Sequence, residues 1–118
     1  MSILLKRVYE YPSPKDGYRV LVDRLWPRGL SKDKTKLDQW MKDIAPSDGL
    51  RKWFHNNPSE WAEFRRRYLS ELKQYRDELR SLATRARRGH VTLVYASSDE
   101  KHNNAVVMKQ YMTMLGHG

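Results

Sequence analysis

An acid, two arginines and a tryptophan directly follow the apolar run at residues 18–22. These side chains are Asp23, Arg24, Trp26 and Arg28. An arginine can hold a carboxylate or a phosphate through two parallel hydrogen bonds, and an indole can stack on a ring or wall a pocket. A charged side chain is costly to bury alone, so Asp23 and Arg24 require partners where the run ends. The segment is therefore a candidate functional edge that binds an anionic ligand.

A second polar group follows the most apolar run of the chain, at residues 91–96. It consists of Ser97, Ser98, Asp99, His102, Asn103 and Asn104. If both runs are parallel strands, their carboxyl ends meet at one edge of the sheet, where α/β proteins bind ligands and where a helix N-terminus favours an anion. The catalytic candidates are Asp23, Asp99 and His102. The ligand-binding candidates are Arg24, Trp26, Arg28, Asn103 and Asn104.

Each of these assignments has a structural alternative. Asp23 can form an internal ion pair with an arginine that pins the loop, with Trp26 in the core. Asp99 and His102 can form a base oriented by a carboxylate, but His102 can equally be a surface histidine that caps a helix start. Residue types and spacing leave both alternatives open.

The apolar runs predict a sheet. Residues 3–9 and 18–22 are two strands joined by a turn-rich loop that is too short for a crossover helix. They form either a hairpin or a parallel arrangement with an irregular connection. Residues 91–96 are apolar at nearly every position, which is typical of a central strand covered on both faces.

The spacing of apolar residues in the middle of the chain predicts helices. Ser31 can cap a helix whose apolar face covers residues 37–45. Residues 40–45 can instead form a short third strand after one or two helical turns, because short apolar runs fit both states. Ser47 is expected to cap a brief helix that ends before residues 56–58.

The strongest helical signal follows. Asn57 as N-cap, Pro58 at the first helical position and Gly89 as the stop predict one long amphipathic helix. At about 1.5 Å per residue a straight helix of this length exceeds a compact domain, so it should curve, split or protrude. A final helix over residues 103–115 has apolar side chains on more than one face.

Length and composition indicate one domain over residues 1–118, because 118 residues suffice for a single core and are too few for two. The expected class is α/β: a small mixed or mostly parallel sheet flanked by helices, one of them long and amphipathic. Cysteine is absent, which excludes disulfides and thiolate catalysis. No apolar stretch is long enough for a membrane span and no signal peptide is recognisable, so we expect a cytoplasmic protein that does not enter a membrane.

The formal net charge of +9 favours polyanionic partners, although basic proteins can owe their charge to solubility alone. Two arginine clusters fall on the long helix, at residues 65–67 and at Arg85, Arg87 and Arg88. The helix aromatics belong to its inward stripe, so a solvated face is favoured over a nucleic-acid interface. Glycine-rich phosphate loops, nucleophile elbows and histidine pairs at metal-ligand spacing are absent from the sequence. No metal site is therefore expected, and cofactors, enzymatic activity and oligomeric state stay open.

Several motifs agree in order and spacing with a known family. The most specific is Gly17 to Lys32, which contains Asp-Arg-Leu-Trp-Pro-Arg-Gly at residues 23–29. The others lie at residues 6–9, 40–47, 50–54, 64–68 and 91–96. Together they resemble the short, YeaO-like branch of the domain-of-unknown-function 488 (DUF488) family, over nearly the whole chain.

The resemblance implies a compact α/β domain in which residues 40–45 are partly extended. The family has no known activity to transfer. Its pattern near the last strand reads Asn-His-Ala, where this chain has Asn103-Asn104-Ala105 with His102 one place earlier. Longer relatives carry cysteines in this loop, so a thiol mechanism does not transfer to this chain.

The sequence therefore predicts binding of a small phosphate- or carboxylate-bearing ligand at the strand carboxyl edge, with catalysis left open. The alternative is a module that binds nucleic acid or a protein partner through the arginine clusters of the long helix.

Overall fold

The computed structural model describes residues 2–116, which form one parallel sheet with helices packed against it. The strands are β1 (Ser2–Arg7), β2 (Tyr18–Leu21), β3 (Gln39–Trp40) and β4 (His90–Tyr95). The helices are α1 (Lys32–Thr35), α2 (Asp48–Asn56), α3 (Trp61–Leu72), α4 (Arg76–Arg88) and α5 (Asn104–Gly116). Two 3-10 turns cover Pro14–Asp16 and Lys73–Tyr75. The predicted α/β class is confirmed.

β4 lies inside the sheet, whose order is β1-β4-β2-β3 with every neighbouring pair parallel. Val91, Leu93 and Val94 are fully buried, as expected for a central strand. β1 and β2 do not form a hairpin, because β4 separates them. The alternative of a parallel arrangement with an irregular connection is the one observed.

One face of the sheet carries the hydrophobic core. Val20 and Leu93 are register partners on this face, and both belong to one core cluster with side chains from α3, α4 and α5. The core side chains from these helices include Tyr68, Leu72, Leu79, Met108 and Met112. Because a fully buried aliphatic side chain contributes about 1.5–3 kcal/mol, this interface is a main source of folding free energy.

The opposite face carries a buried polar network. Arg19 and Thr92 are register partners on this face and are only 3% and 1% exposed. The Asp16 carboxylate accepts hydrogen bonds from Arg19 Nη1 at 2.6 Å and from Lys6 Nζ at 3.0 Å. Thr92 Oγ1 donates to the Asp16 carbonyl at 2.6 Å. The 3-10 turn that ends at Asp16 is thereby fixed to β1, β2 and β4.

The predicted helix across residues 37–45 is wrong. α1 has a Ser31 cap but stops after one turn, where Lys36 adopts a left-handed φ of 51°. The chain then pairs with β2, and the Met41 amide donates to a β2 carbonyl at 2.9 Å. Hydrogen bonds to the sheet override the helical spacing. A short third strand does follow one helical turn, but it covers Gln39–Trp40 and not the expected residues 40–45.

The long amphipathic run is confirmed as helical over Trp61 to Arg88. The 3-10 turn Lys73–Tyr75 divides it into α3 and α4, which agrees with the expectation that so long a helix would curve, split or protrude. Gly89 ends the run as predicted.

The predicted start of this helix, at Asn57 and Pro58, is wrong. Asn57 closes α2 instead, and its side-chain amide donates to the Trp53 carbonyl at 2.9 Å. α3 therefore begins at Trp61. α2 itself begins where expected, because the Ser47 hydroxyl caps its first turn.

The last helix also forms as predicted. α5 covers Asn104–Gly116, and its buried side chains lie on more than one face. Across residues 2–116, no helix combines the length and the apolar character needed to cross a bilayer.

Candidate functional site

The loops that follow β2 and β4 meet at one edge of the sheet, and Asp23 joins them. Its carboxylate accepts a hydrogen bond from the Ala96 amide at 2.9 Å and another from the Asn104 side-chain amide at 3.1 Å. The same Asn104 nitrogen donates to the Val22 carbonyl at 2.8 Å. These bonds arise because the carboxyl ends of two neighbouring parallel strands lie side by side.

No ion pair holds Asp23 within residues 2–116, so the alternative in which it pins the loop through an arginine is not observed. Burial raises the pKa of the Asp23 carboxyl, and the bonds from Ala96 and Asn104 oppose this effect only in part. A carboxyl group with a raised pKa at a cavity wall is a common feature of functional sites.

Arg24 is bound to the scaffold. Its Nε donates to the Pro46 carbonyl at 3.0 Å, and its Nη2 donates to the Ala45 carbonyl at 3.3 Å. A longer contact of 3.9 Å joins it to Asp48, whose side chain is 64% exposed. Arg24 therefore anchors the segment before α2, and little of its guanidinium is left for a ligand.

Trp26 and Arg28 differ in how firmly they are held. The Trp26 indole donates to the Leu30 carbonyl at 2.7 Å and meets the Trp40 ring edge-on at 5.4 Å, so its ring is fixed. Arg28 is exposed, and only its backbone is bound, through the hydroxyl of Tyr9. In the part of the chain that the structure describes, the Arg28 guanidinium has no hydrogen-bond acceptor and no acidic partner.

Asp99 and His102 form a turn rather than a buried pair. The Asp99 carboxylate accepts from the backbone amides of Lys101 and His102, and its contact with His102 Nδ1 is long at 3.4 Å. Both side chains are about half exposed. His102 reaches the cavity described below and lies beside the Trp61 ring, whereas Asp99 does not line that cavity.

Asn103 acts as the cap of α5. It is 3% exposed, and its side chain accepts from the Val106 amide at 3.1 Å and donates to the Asp99 carbonyl at 2.9 Å. Its polar atoms are thus occupied by the fold. Of the two predicted asparagines, Asn104 links the two loops and Asn103 caps the helix.

A cavity of about 460 Å³ lies at this edge of the sheet. Seven of the eight predicted site residues line it, and Asp99 is the exception. Sequence reasoning missed several further wall residues, which are Tyr9, Pro46, Arg51, Phe54 and Phe64. The helical spacing of Phe54 and Phe64 predicts inward-facing core positions, and no local signal distinguishes a core aromatic from a cavity wall.

Arg51 has an unusual environment. Its Nε atom is enclosed by protein and has no hydrogen-bond partner within residues 2–116. Its Nη2 contact with Asp48 is long, at 3.4 Å. An enclosed N–H without an acceptor is unfavourable, although the Arg51 side chain as a whole is 40% exposed. Arg51 is therefore the strongest candidate for a ligand-binding residue among those that the sequence did not reveal.

The two arginine clusters of the long helix lie outside this cavity, and several of their side chains contact other groups of the protein. Arg66 and Arg67 both bind Glu63, and they lower the pKa of its carboxyl to about 2. Arg65 donates to Gln110 at 2.7 Å. Arg85 lies over the Tyr18 ring at 4.0 Å. Among the residues from 2 to 116, no three His, Asp or Glu side chains are grouped closely enough to hold a metal ion.

The fold and the site define a parallel α/β domain with a basic, aromatic-walled cavity at the carboxyl ends of its strands. A family model described as "Inactive DUF488-N3 subclade" matches residues 2–115. The chain therefore belongs to the DUF488 family, which confirms the resemblance found in its motifs.

Relatives cover essentially the whole chain. The "Uncharacterized protein YeaO" of Escherichia coli (strain K12) is 44% identical over 115 residues, which is 98% of this chain and 100% of the relative. An uncharacterized protein of Mycobacterium tuberculosis (strain ATCC 25618 / H37Rv) is 42% identical over 112 residues, 93% of this chain and 92% of the relative. No solved structure matches the chain.

Proposed function

We propose that the cavity binds a small anionic ligand through a phosphate or carboxylate group, without converting it chemically. The observation that carries this proposal is the exposed Arg28 guanidinium at the cavity, which has no acceptor within residues 2–116. A guanidinium in this position can bind either group through two parallel hydrogen bonds.

The charge balance of the cavity supports an anion. Arg24, Arg28 and Arg51 line it, against a single carboxylate from Asp23. Like charges gathered in a concave, partly apolar site attract and retain a counter-ion. The N-terminal turn of α5 contains no acidic residue that would oppose an anion.

Binding without turnover is supported by two observations. The family model that the chain matches is described as inactive. Asp23 is also held by the amide groups of Ala96 and Asn104, while Asp99 lies outside the cavity wall. Asp99 contacts His102 Nδ1 only at 3.4 Å, and the two acids Asp23 and Asp99 do not share the cavity wall. This arrangement supports binding over turnover.

Binding of nucleic acid remains the second candidate, and its support is the net charge of +9. It is the weaker candidate because the arginines at residues 65–67 already have polar or acidic partners. A salt titration with a single-stranded oligonucleotide tests it. A steep fall of log affinity with log salt supports it, and no binding at low salt excludes it.

Thermal unfolding with a ligand panel tests the main proposal. The panel contains inorganic phosphate, glycerol 3-phosphate, adenosine 5′-monophosphate and benzoate. A ligand present at 100 times its Kd stabilises the folded state by about 2.7 kcal/mol, so a rise in Tm reports binding. We expect at least one anion to raise the Tm of the wild type, and ³¹P NMR to recover the phosphate compounds unchanged.

Two arginine variants provide the control. Arg28→Ala should lose the ligand-induced rise in Tm, whereas Arg80→Ala should keep it, because Arg80 is exposed on α4 and does not line the cavity. A wild type that responds to no anion, or an Arg28→Ala variant that responds as the wild type does, contradicts the proposal.

A further inference from the structure

We infer that the ligand of this cavity is an anion attached to a planar ring, as in an aromatic carboxylate or a nucleoside monophosphate. The inference rests on the proposed function, because it specifies the chemistry of the molecule bound at the same site. The inference is supported by a cationic set of wall residues, by an aromatic set of wall residues and by the size of the cavity.

The charged group has two arginines available to it. Arg24 is committed to backbone carbonyls, which leaves Arg28 and Arg51. Arg51 has an enclosed Nε without a partner within residues 2–116 and only a long contact to Asp48. An anion that draws the Arg51 guanidinium toward the cavity supplies the acceptor that Nε lacks. Arg28 and Arg51 therefore form the cationic side of the site.

The ring has a rigid aromatic wall to rest on. Phe54 is stacked on Phe64 with the centroids 4.3 Å apart and the planes 24° apart. Phe64 is 3% exposed and is stacked in turn on Trp61 at 5.6 Å. Phe54 is only partly buried, so it is a fixed ring with surface still open to a ligand. The Trp26 indole, held by its own hydrogen bond, adds a second fixed ring.

The size of the cavity excludes a bare oxyanion as its full occupant. At about 460 Å³ it falls within the roughly 300–1,000 Å³ of pockets that hold drug-sized molecules. Inorganic phosphate would leave the aromatic wall in contact with water. A ring covers that wall, and aromatic pairs add to the free energy of simple area burial.

Isothermal titration calorimetry on the full chain separates the two properties of the ligand. Adenosine 5′-monophosphate carries both ring and charge, glycerol 3-phosphate carries the charge alone, and adenosine carries the ring alone. We expect adenosine 5′-monophosphate to bind at least 10-fold more tightly than either of the other two. 1-Naphthoate distinguishes an aromatic carboxylate from a nucleoside monophosphate. If 1-naphthoate binds more tightly than adenosine 5′-monophosphate, the site is assigned to carboxylates.

Phe54→Leu tests the aromatic wall at nearly constant hydrophobicity. An aromatic pair exceeds area burial by about 0.5–1.5 kcal/mol, so this variant should weaken the ring-bearing anion roughly 2- to 12-fold and leave glycerol 3-phosphate unchanged. Tyr75→Leu is the matched control, since Tyr75 is partly buried against the core and does not line the cavity. Circular dichroism verifies that both variants are folded, and the wild-type comparison stands if Phe54→Leu does not fold.

The outcomes separate this inference from the proposed function. Equal binding of glycerol 3-phosphate and the ring-bearing anions overturns the inference that the ligand carries a ring, but it leaves the proposal of anion binding intact. Equal binding of adenosine and adenosine 5′-monophosphate overturns anion binding and with it the inference. Absence of binding by every compound contradicts both.

Discussion

Two aspartates at opposite ends of β2, Asp16 buried and Asp23 half-buried, differ in the groups that bind their carboxylates. Asp16, before the strand, is 5% exposed and binds Lys6 at 3.0 Å and Arg19 at 2.6 Å. Asp23, after the strand, is bound by the amides of Ala96 and Asn104 and has no cationic partner within residues 2–116. The Asp16 carboxylate is bound by two cationic side chains, whereas neutral amides alone bind the Asp23 carboxylate in the described part of the chain.

The pKa values follow from these surroundings. Burial raises the pKa of Asp16, but hydrogen bonds from the Ser13 amide, Lys6 and Arg19 outweigh it, so the pKa lies below its usual range. For Asp23 burial dominates, and the pKa is raised. The comparison shows that the amino end of β2 is built for stability. The carboxyl end keeps an acid whose burial is offset only in part and, at Arg28, an exposed guanidinium without an acidic partner within residues 2–116, and both line the cavity of our proposed anion site.

The largest expected effect is the loss of the Asp16 network. Asp16→Ala leaves Arg19, which is 3% exposed, without its acid. Breaking a buried pair by removing one partner costs about 3–5 kcal/mol. Urea unfolding measures this difference, with Asp43→Ala as a control because Asp43 is exposed. A loss of unfolding free energy below about 1 kcal/mol for Asp16→Ala would contradict a stabilising role for the Asp16 network.

A smaller effect is expected at the carboxyl end. Asn104→Ala removes the bonds to the Val22 carbonyl and to the Asp23 carboxylate. Because two partly buried acceptors then lack a donor, we expect the free energy of unfolding to fall by about 1–3 kcal/mol in all. The same urea measurement applies, with Gln110→Ala as an exposed amide control whose side chain is bound by Arg65 alone within residues 2–116. A loss as large as that of Asp16→Ala contradicts the contrast between the two ends.

The smallest expected effect is a difference in pH dependence. Because the folded-state pKa of Asp16 is lowered, its contribution is complete above the unfolded pKa and is lost as pH falls through the folded pKa. Because that of Asp23 is raised, its protonation favours the folded state, and stability is gained as pH falls from the folded toward the unfolded pKa. The free energy of unfolding of Asp16→Asn and Asp23→Asn, measured against pH, should diverge from the wild type in opposite directions. Parallel curves for the two variants would falsify the assignment.

The sequence predicts local features well. The buried pattern of residues 91–96 identifies the central strand, and the Ser47 cap places α2, because both depend on neighbouring residues alone. The meeting of the two polar loops is also predictable once β2 and β4 are taken as parallel, since parallel strands share a carboxyl edge.

Features that depend on distant contacts are not predictable in this way. Residues 37–45 have helical spacing, but Trp40 donates its indole hydrogen to the Asp23 carbonyl at 2.7 Å, and the segment joins the sheet instead. Arg24 is bound by carbonyls 21 and 22 residues further along the chain. Arg51 and Phe54 reach the cavity only because α2 packs against this edge, and nothing in their own segment shows it.

The most direct test of anion binding at the carboxyl edge is ¹H–¹⁵N NMR of the full chain titrated with adenosine 5′-monophosphate. The largest chemical-shift changes should fall on residues 23–28, 51–54 and 96–104, around the cavity that Arg28 lines. A second cavity, of about 720 Å³, lies at the amino ends of the strands beside Arg85, Arg88 and His90. Changes confined to residues 84–90, or a spectrum that neither adenosine 5′-monophosphate nor 1-naphthoate changes, would contradict anion binding at the carboxyl edge.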